Sequence, residues 1–198
     1  MSLWIVLPVK PFSEGKSRLA TRLTPQQRYD LNKYLFTFVL DIAQKFLPQR
    51  VLVISRCQSV LLMAKQFAAQ TLTEKAPFGL NTALTQANQW LKNKSATHLL
   101  IIPTDLPNLT MHDLTSLIPS QSGHVLIARD RVKQGTNALY HPVAPNLRYQ
   151  FGEGSCSRHV IEAHKAGLQV TFNDNPILAF DLDTPADYAE WTAEGRSL

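Results

Sequence analysis

The run His98-Leu99-Leu100-Ile101-Ile102-Pro103-Thr104-Asp105-Leu106-Pro107 constrains the fold more than any other stretch of this 198-residue chain. Four consecutive aliphatic residues read as a strand buried on both faces, the pattern of parallel strands in an α/β sheet. Leu106-Pro107 then turns the chain away. Ligands of open α/β sheets bind beyond the carboxyl ends of the strands, which places Asp105 at the functional rim. An Asp after a strand also commonly caps the next helix, so its reading depends on what joins it there.

The rest of the chain supports that architecture. Leu3 to Val9 is a short apolar strand. Thr24-Pro25-Gln26-Gln27 reads as a capped helix start, followed by Leu31, Leu35, Phe38, Val39, Ile42 and Phe46 at helical spacing. Val51 to Ile54 and Gln70 to Thr73 read as strands, and Leu61, Leu62 and Phe67 lie on a helix between them. Leu80 to Leu91 is an amphipathic helix, with Asn81 at its start either as a cap or facing a ligand. Helix follows at Thr110 to Ile118, strands at Val125 to Ala128 and Thr136 to Tyr140, and helix at Ser157 to Ala166, stopped by Gly167. Strands and helices alternate without a linker or repeat. This predicts one domain over residues 1–198, with helices on both faces of a mainly parallel sheet.

A chain of this length buries about 70% of its unfolded surface and needs no disulfide or structural metal. Cys57 and Cys156 fit no metal-ligand spacing and, with no secretory signal, suggest a reducing cytoplasmic setting. Lys10 ends the first apolar run too early for a membrane span. The net charge of +5 suits an anionic partner. The basic residues are scattered, without the basic helix or aromatic-interleaved strand of a nucleic-acid binder, so nucleic acid is not an expected partner.

Two features join Asp105. The loop after the first strand holds Lys10, Lys16 and Arg18. Its Gly15-Lys16-Ser17 imitates the tail of a P-loop without the P-loop spacing, and these cations are either solvated or phosphate ligands. Near the other end, Ile177 to Asp183 reads as a strand finishing in two acids. Residues i and i+2 of a strand share a face, so Asp181 and Asp183 project together about 6.5 Å apart, with Leu182 opposite. Such a pair asks for a cation between its members. Placed on neighbouring strands with Asp105, it makes an oxygen-rich cluster without histidine, suited to Mg²⁺ or Mn²⁺ rather than zinc. Cations facing phosphates beside such a cluster fit attack on a nucleoside triphosphate. Phe151-Gly152-Glu153-Gly154-Ser155 precedes a helix and is either an anion site or an ordinary glycine turn. His159 and His164, five apart, do not share a helix face as paired ligands would, and read as structural or surface residues.

Six segments occur in order: Val9-Lys10-Pro11 with Gly15-Lys16-Ser17-Arg18-Leu19; Gly79-Leu80-Asn81-Thr82-Ala83; Pro103-Thr104-Asp105-Leu106-Pro107; Gly135-Thr136-Asn137-Ala138-Leu139; Phe151-Gly152-Glu153-Gly154-Ser155 with Arg158-His159; and Asp181-Leu182-Asp183-Thr184-Pro185. Together they resemble the 2-phospho-L-lactate guanylyltransferase family, with its bacterial relatives that use phosphoenolpyruvate, in the assembly of coenzyme F-420. The resemblance implies a Rossmann-like three-layer α/β sandwich with a mainly parallel, mixed central sheet, of the nucleotide-diphospho-sugar transferase (GT-A-like) type. It implies a Mg²⁺-dependent enzyme that moves GMP from GTP to a small phosphorylated three-carbon acid: 2-phospho-L-lactate, phosphoenolpyruvate or 3-phosphoglycerate. It implies metal ligation by Asp105, Asp181 and Asp183, and phosphate contacts and catalysis by Lys10, Lys16 and Arg18. Ser55, Gly79 and Asn81 are expected beside the nucleotide, and Thr136, Gly152 and Ser155 beside the acid. The competing readings are a nucleotidyltransferase for another cofactor or sugar phosphate and a non-catalytic nucleotide-binding regulator.

Overall fold

The computed structural model describes residues 2–120, 123–193 and 195. Among these residues seven strands form one sheet: β1 (Leu3–Pro8), β2 (Val51–Ser55), β3 (Gln70–Thr73), β4 (His98–Ile101), β5 (His124–Arg129), β6 (Thr136–Pro142) and β7 (Gln169–Asn173). Their spatial order is β3-β2-β1-β4-β6-β5-β7. Beginning with β1, the chain builds outward to β2 and β3, then returns to lay β4 on the other side of β1. The gap between the carboxyl ends of β1 and β4 is therefore the switch point at which α/β sheets bind ligands. All neighbours run parallel except β6, which is antiparallel to both β4 and β5. Because β6 runs backwards, its first residues, Thr136 and Asn137, lie at the same rim as the last residues of β4.

Side-chain alternation sorts the core onto the two faces. Ile5, Leu7, Val53 and Leu100 pack against Phe36, Val39 and Leu40 of α1 (Pro25–Phe46), Val60 and Leu61 of α2 (Gln58–Gln66) and Leu114 of α4 (Met111–Ser116). Val6, Ile54, Leu99 and Ile101 face Leu84, Ala87 and Leu91 of α3 (Leu80–Lys92), in a layer with Cys156 and Ala163 of α5 (Ser155–Lys165). The run that predicted a strand buried on both sides is thus β4, with Leu99 and Leu100 in opposite layers. Thr24 and Gln27 form the expected capping box, each accepting the other's backbone N–H.

The largest departure from expectation is at 177–183. No strand forms there. Asn175 caps a short helix, α6 (Pro176–Ala179), and an extended segment follows. The pattern of apolar residues misleads because Ile177 and Leu178 are spent on a helical turn that Pro176 starts. The i, i+2 alternation nonetheless survives in the extended segment. Phe180 and Leu182 are buried in a third cluster with Leu19, Leu31, Leu35 and Trp191 of α7 (Pro185–Ala193), while Asp181 and Asp183 turn to the opposite side. The Leu182 N–H donates to the Asp105 carbonyl at 2.9 Å, tying the segment to the turn after β4 without making it a sheet strand. Strand β7, at the sheet's edge, was not foreseen; its exposed Gln169 and Phe172 give it no clear apolar alternation.

Two histidines are fully buried, His141 on β6 and His159 on α5. Burial pushes both pKa values down to about 4. A base whose folded pKa is depressed contributes its full stability above the unfolded value, about 6.5, and loses it as pH falls through the folded pKa. Between those limits the unfolded chain binds up to two more protons, so unfolding free energy should fall by as much as ~2.7 kcal/mol per pH unit. Denaturant titrations at pH 7, 6 and 5 measure this slope, and flat stability over that range would contradict the two buried neutral imidazoles. No helix among the described residues is long and apolar enough to cross a membrane.

Candidate active site

A cleft of about 580 Å³ opens at the switch point between β1 and β4. Its walls come from the loop after β1, the turn after β4, the start of β6 and the extended 180–183 segment, with the residues that follow β2 and β3, the start of α3, Asn32 of α1 and Phe151 completing them.

The β1 loop folds back as two short 3₁₀ turns, Phe12–Glu14 and Ser17–Thr21, joined through Lys16. Asn32 of α1 anchors it, donating to the Phe12 carbonyl at 2.7 Å. The Asn32 amide fills the space where a side chain at position 15 would stand, since a Cβ there would lie 2.6 Å from it; hence Gly15. The Glu14 carboxylate pairs with Arg56 at the end of β2, fixing the loop from the other side. Lys16 takes a left-handed backbone conformation, φ 57°, uncommon for a residue with a side chain. Its ammonium turns inward, the side chain only 7% exposed, to lie 3.1 Å from Asp105 and 4.0 Å from Asp183. Lys10 stands on the same wall. Arg18 lies outside the wall, largely exposed, with Nη1 2.8 Å from Asp183.

Asp181 is partly buried on the cleft wall. Burial raises its pKa, and the nearby Asp105 carboxylate raises it further, against the opposing hydrogen bond from Asn137 Nδ2 at 3.3 Å. Asn137 also donates to the Leu178 carbonyl and so fixes the segment that carries Asp181. Asp183 is placed by α7: the Asp187 carboxylate that completes the Thr184 cap also accepts the Asp183 backbone N–H, at 3.1 Å.

Asp105, Asp181 and Asp183 therefore share the cleft, as expected, but not from neighbouring strands. Among the described residues, no three carboxylate, imidazole or thiolate groups gather as a metal cage; the Lys16 ammonium stands between Asp105 and Asp183. The donor chemistry still fits magnesium. That ion takes only one or two carboxylates and completes its shell with water and phosphate oxygens. Asp105 and the partly buried Asp181, whose charged form the Asp105 carboxylate disfavours, present such a pair.

The remaining expected contacts divide. Thr136 is on the cleft wall, its hydroxyl 3.0 Å from His159 Nδ1. Gly79 is on the wall and begins α3. Asn81 neither caps α3 nor faces the cleft. Its carbonyl oxygen accepts the Phe151 N–H at 2.8 Å and its amide donates to the Phe151 carbonyl at 3.2 Å, clamping that residue in the wall. Ser55 is fully buried, its hydroxyl accepting the Cys57 N–H at 3.1 Å, and belongs to a turn. Gly152, at φ +120°, and Gly154, at φ +63°, make the turn into α5, and Ser155 is buried at its start; neither Gly152 nor Ser155 lines the cleft. Arg56, Glu74, Asn32 and Asn137 line it and were not foreseen. Of these only Asn137 had a signal, its place directly after Thr136.

Over residues 3–197 the chain matches the family model described as "Guanylyl transferase CofC like". It is 34% identical over 197 residues to phosphoenolpyruvate guanylyltransferase of Rubrobacter xylanophilus, covering 98% of this chain and 96% of that one. It is 30% identical over 193 residues to 2-phospho-L-lactate guanylyltransferase of Methanobrevibacter smithii, covering 97% and 84%. Among solved structures it resembles a nucleotidyl transferase from Methanothermobacter thermautotrophicus, with TM-score 0.69 at 12% identity over 98% of this chain and 97% of that one. That likeness confirms the expected three-layer nucleotidyltransferase fold. With the family model matching nearly its whole length and relatives at 30% identity or more covering it, the chain belongs to the CofC-like guanylyl transferase family.

Proposed function

We propose that this enzyme transfers GMP from GTP to a small phosphorylated three-carbon acid, releasing pyrophosphate. The observation that carries the proposal is the convergence of Lys16, Asp105 and Asp181 in one cleft at the switch point. The relatives' names supply the nucleotide and the acceptor class.

An oxygen of the acid's phosphate attacks the α-phosphorus of GTP. The new P–O bond forms as the bond to the β-phosphate's bridging oxygen breaks, and pyrophosphate carries the charge away. A phosphate is already an anion at neutral pH, so no side chain need remove a proton from it. The protein's work is then positioning and charge compensation. Lys10 and Lys16 face the triphosphate, and Arg18 closes over Asp183 at the mouth. Asp105 and Asp181, with Asp183 beside them, would hold magnesium, which would supply compensation of the phosphates' negative charge. The wall of Thr136 and Phe151 faces the acid, while Gly152 and Ser155 act from behind it by shaping the turn into α5.

Mass spectrometry of the products formed from GTP and Mg²⁺ with 2-phospho-L-lactate, phosphoenolpyruvate or 3-phosphoglycerate tests this reading. A guanosine-diphospho-acid is expected from at least one of them, with one pyrophosphate per product. GTP binding by calorimetry without pyrophosphate release from any acid would favour the regulator instead. Release with only a sugar phosphate or another nucleotide would reassign the substrates.

A further inference from the structure

His159 lies outside the cleft, yet it touches two residues of the cleft wall, Thr136 and Phe151, and the Gln150 backbone beside them. Its Nε2 is 3.0 Å from the Gln150 backbone nitrogen, its Nδ1 is 3.0 Å from the Thr136 hydroxyl oxygen, and its ring meets that of Phe151 edge-on at 4.7 Å. The first contact decides the second. A backbone N–H can only donate, so Nε2 must be the bare nitrogen, and the neutral ring then carries its proton on Nδ1. That proton points at Thr136 Oγ1. Among the described residues the Thr136 hydroxyl has no other hydrogen-bond partner.

We propose that His159 is a positioning residue for the acceptor: its Nδ1–H occupies a lone pair of Thr136 Oγ1 and so turns the Thr136 hydroxyl proton into the cleft, as a donor to an anionic oxygen of the phospho-acid. The assignment rests on the guanylyl-transfer reading above. A free threonine hydroxyl rotates and offers a proton or a lone pair alike. One that already accepts a directed hydrogen bond has its proton committed to the open side. Thr136 is 9% exposed and His159 is fully buried, so water does not compete for the inner contact. The depressed pKa of His159 agrees with a ring that stays neutral at physiological pH. A charged ring would set an N–H against the Gln150 N–H.

Two observations test this. Long-range ¹H–¹⁵N correlation spectra of the wild-type enzyme report the tautomer directly, and Nδ1–H is expected. Steady-state kinetics then compare His159→Gln with His159→Asn. The Gln amide reaches the place of Nε2 and keeps a partner for the Gln150 N–H, but it offers Thr136 no donor. The Asn amide stands in for Nδ1–H. His159→Gln should raise KM for the acid by about 10-fold or more, with KM for GTP little changed, and His159→Asn should restore most of the loss. In a Thr136→Val background, His159→Gln should add little further. Absence of turnover with every acid overturns the guanylyl-transfer reading and this role with it. Turnover accompanied by an Nε2–H tautomer, or by equal increases in both KM values, overturns this role alone.

Discussion

Replacing Lys16 by methionine should lower nucleotidyl transfer by roughly three orders of magnitude and, at the same time, tighten the binding of magnesium. The first effect follows from the position of the ammonium. It is inward-facing, nearly excluded from water, and held beside the acids on the cleft wall, where the proposed reaction sets the triphosphate. Compensation of developing charge by a pre-placed cation accounts for a large part of phosphoryl-group catalysis, and methionine keeps the length of the chain without the charge. The second effect follows from competition. Lys16 already neutralises Asp105 and Asp183, so a divalent cation entering that space meets an ammonium it must displace. Without the ammonium, the acids retain their mutual repulsion and bind a metal more readily. Pyrophosphate release measures the first effect, and calorimetric titration of the nucleotide-free protein with Mg²⁺ measures the second. Undiminished turnover would remove Lys16 from the chemistry. Weaker magnesium binding in the variant would show that the three acids do not form the cation site.

Asp181→Asn should separate activity from stability. Transfer should fall by about 100-fold or more, while the metal-free protein melts at a higher temperature than wild type. The sign follows from the direction of the pKa shift. Burial first, and the Asp105 charge second, raise the Asp181 pKa above its unfolded value. For an acid shifted upward, the folded state gains on protonation, and ionisation at neutral pH weighs against it. Asparagine removes that charge while its carbonyl can still accept from Asn137. Asp183→Asn provides the contrast, because Asp183 faces Lys16 and Arg18 and its neutral form loses both attractions. Thermal melts with and without Mg²⁺ check the pair. The wild type should gain stability from the metal, and Asp181→Asn should gain little. A lower melting temperature for metal-free Asp181→Asn would show that its charge is well compensated in the fold.

These expectations turn on details of unequal visibility in the chain. The buried strand at 98–102 and the helix capped by Thr24 were legible because both are local. One is a continuous apolar run, and the other is a capping box followed by a helical stripe. Asp105 was legible for the same reason, since a carboxylate at the end of such a strand has few places to go. The pairing of Asp181 with Asp183 was also correct in its outcome, although by a different backbone. The alternation that predicted a sheet strand is enforced instead by Phe180 and Leu182 inserting beside Leu19, Leu31 and Trp191, residues far away in the sequence.

Asn81 shows where local reading stops. At a helix start it offered two ordinary roles, a cap or a ligand contact, and took neither. Its amide instead imitates a strand's pairing with Phe151, seventy residues away. His159 reads from the sequence as a structural or surface residue; it is buried, and its link to Thr136 depends on β6 and α5 meeting across the core. Ser55 sits at a strand's carboxyl end like the true wall residues. The turn it closes onto Cys57 buries its hydroxyl, a matter of one peptide's direction.

The order of residue types along the chain determined the class of fold, the rim of the sheet at which the cleft opens, and the acids and cations available there. Apolar periodicity and turn chemistry act over a few residues and are written directly in the sequence. Only the tertiary structure decided how those groups meet. The reversed direction of β6 brings Thr136 and Asn137 to the rim, the third apolar cluster aims Asp181 and Asp183 into the cleft, and the left-handed turn at Lys16 puts an ammonium between Asp105 and Asp183. Each depends on contacts between segments remote in sequence, where packing and electrostatics select one arrangement from many that the local pattern allows.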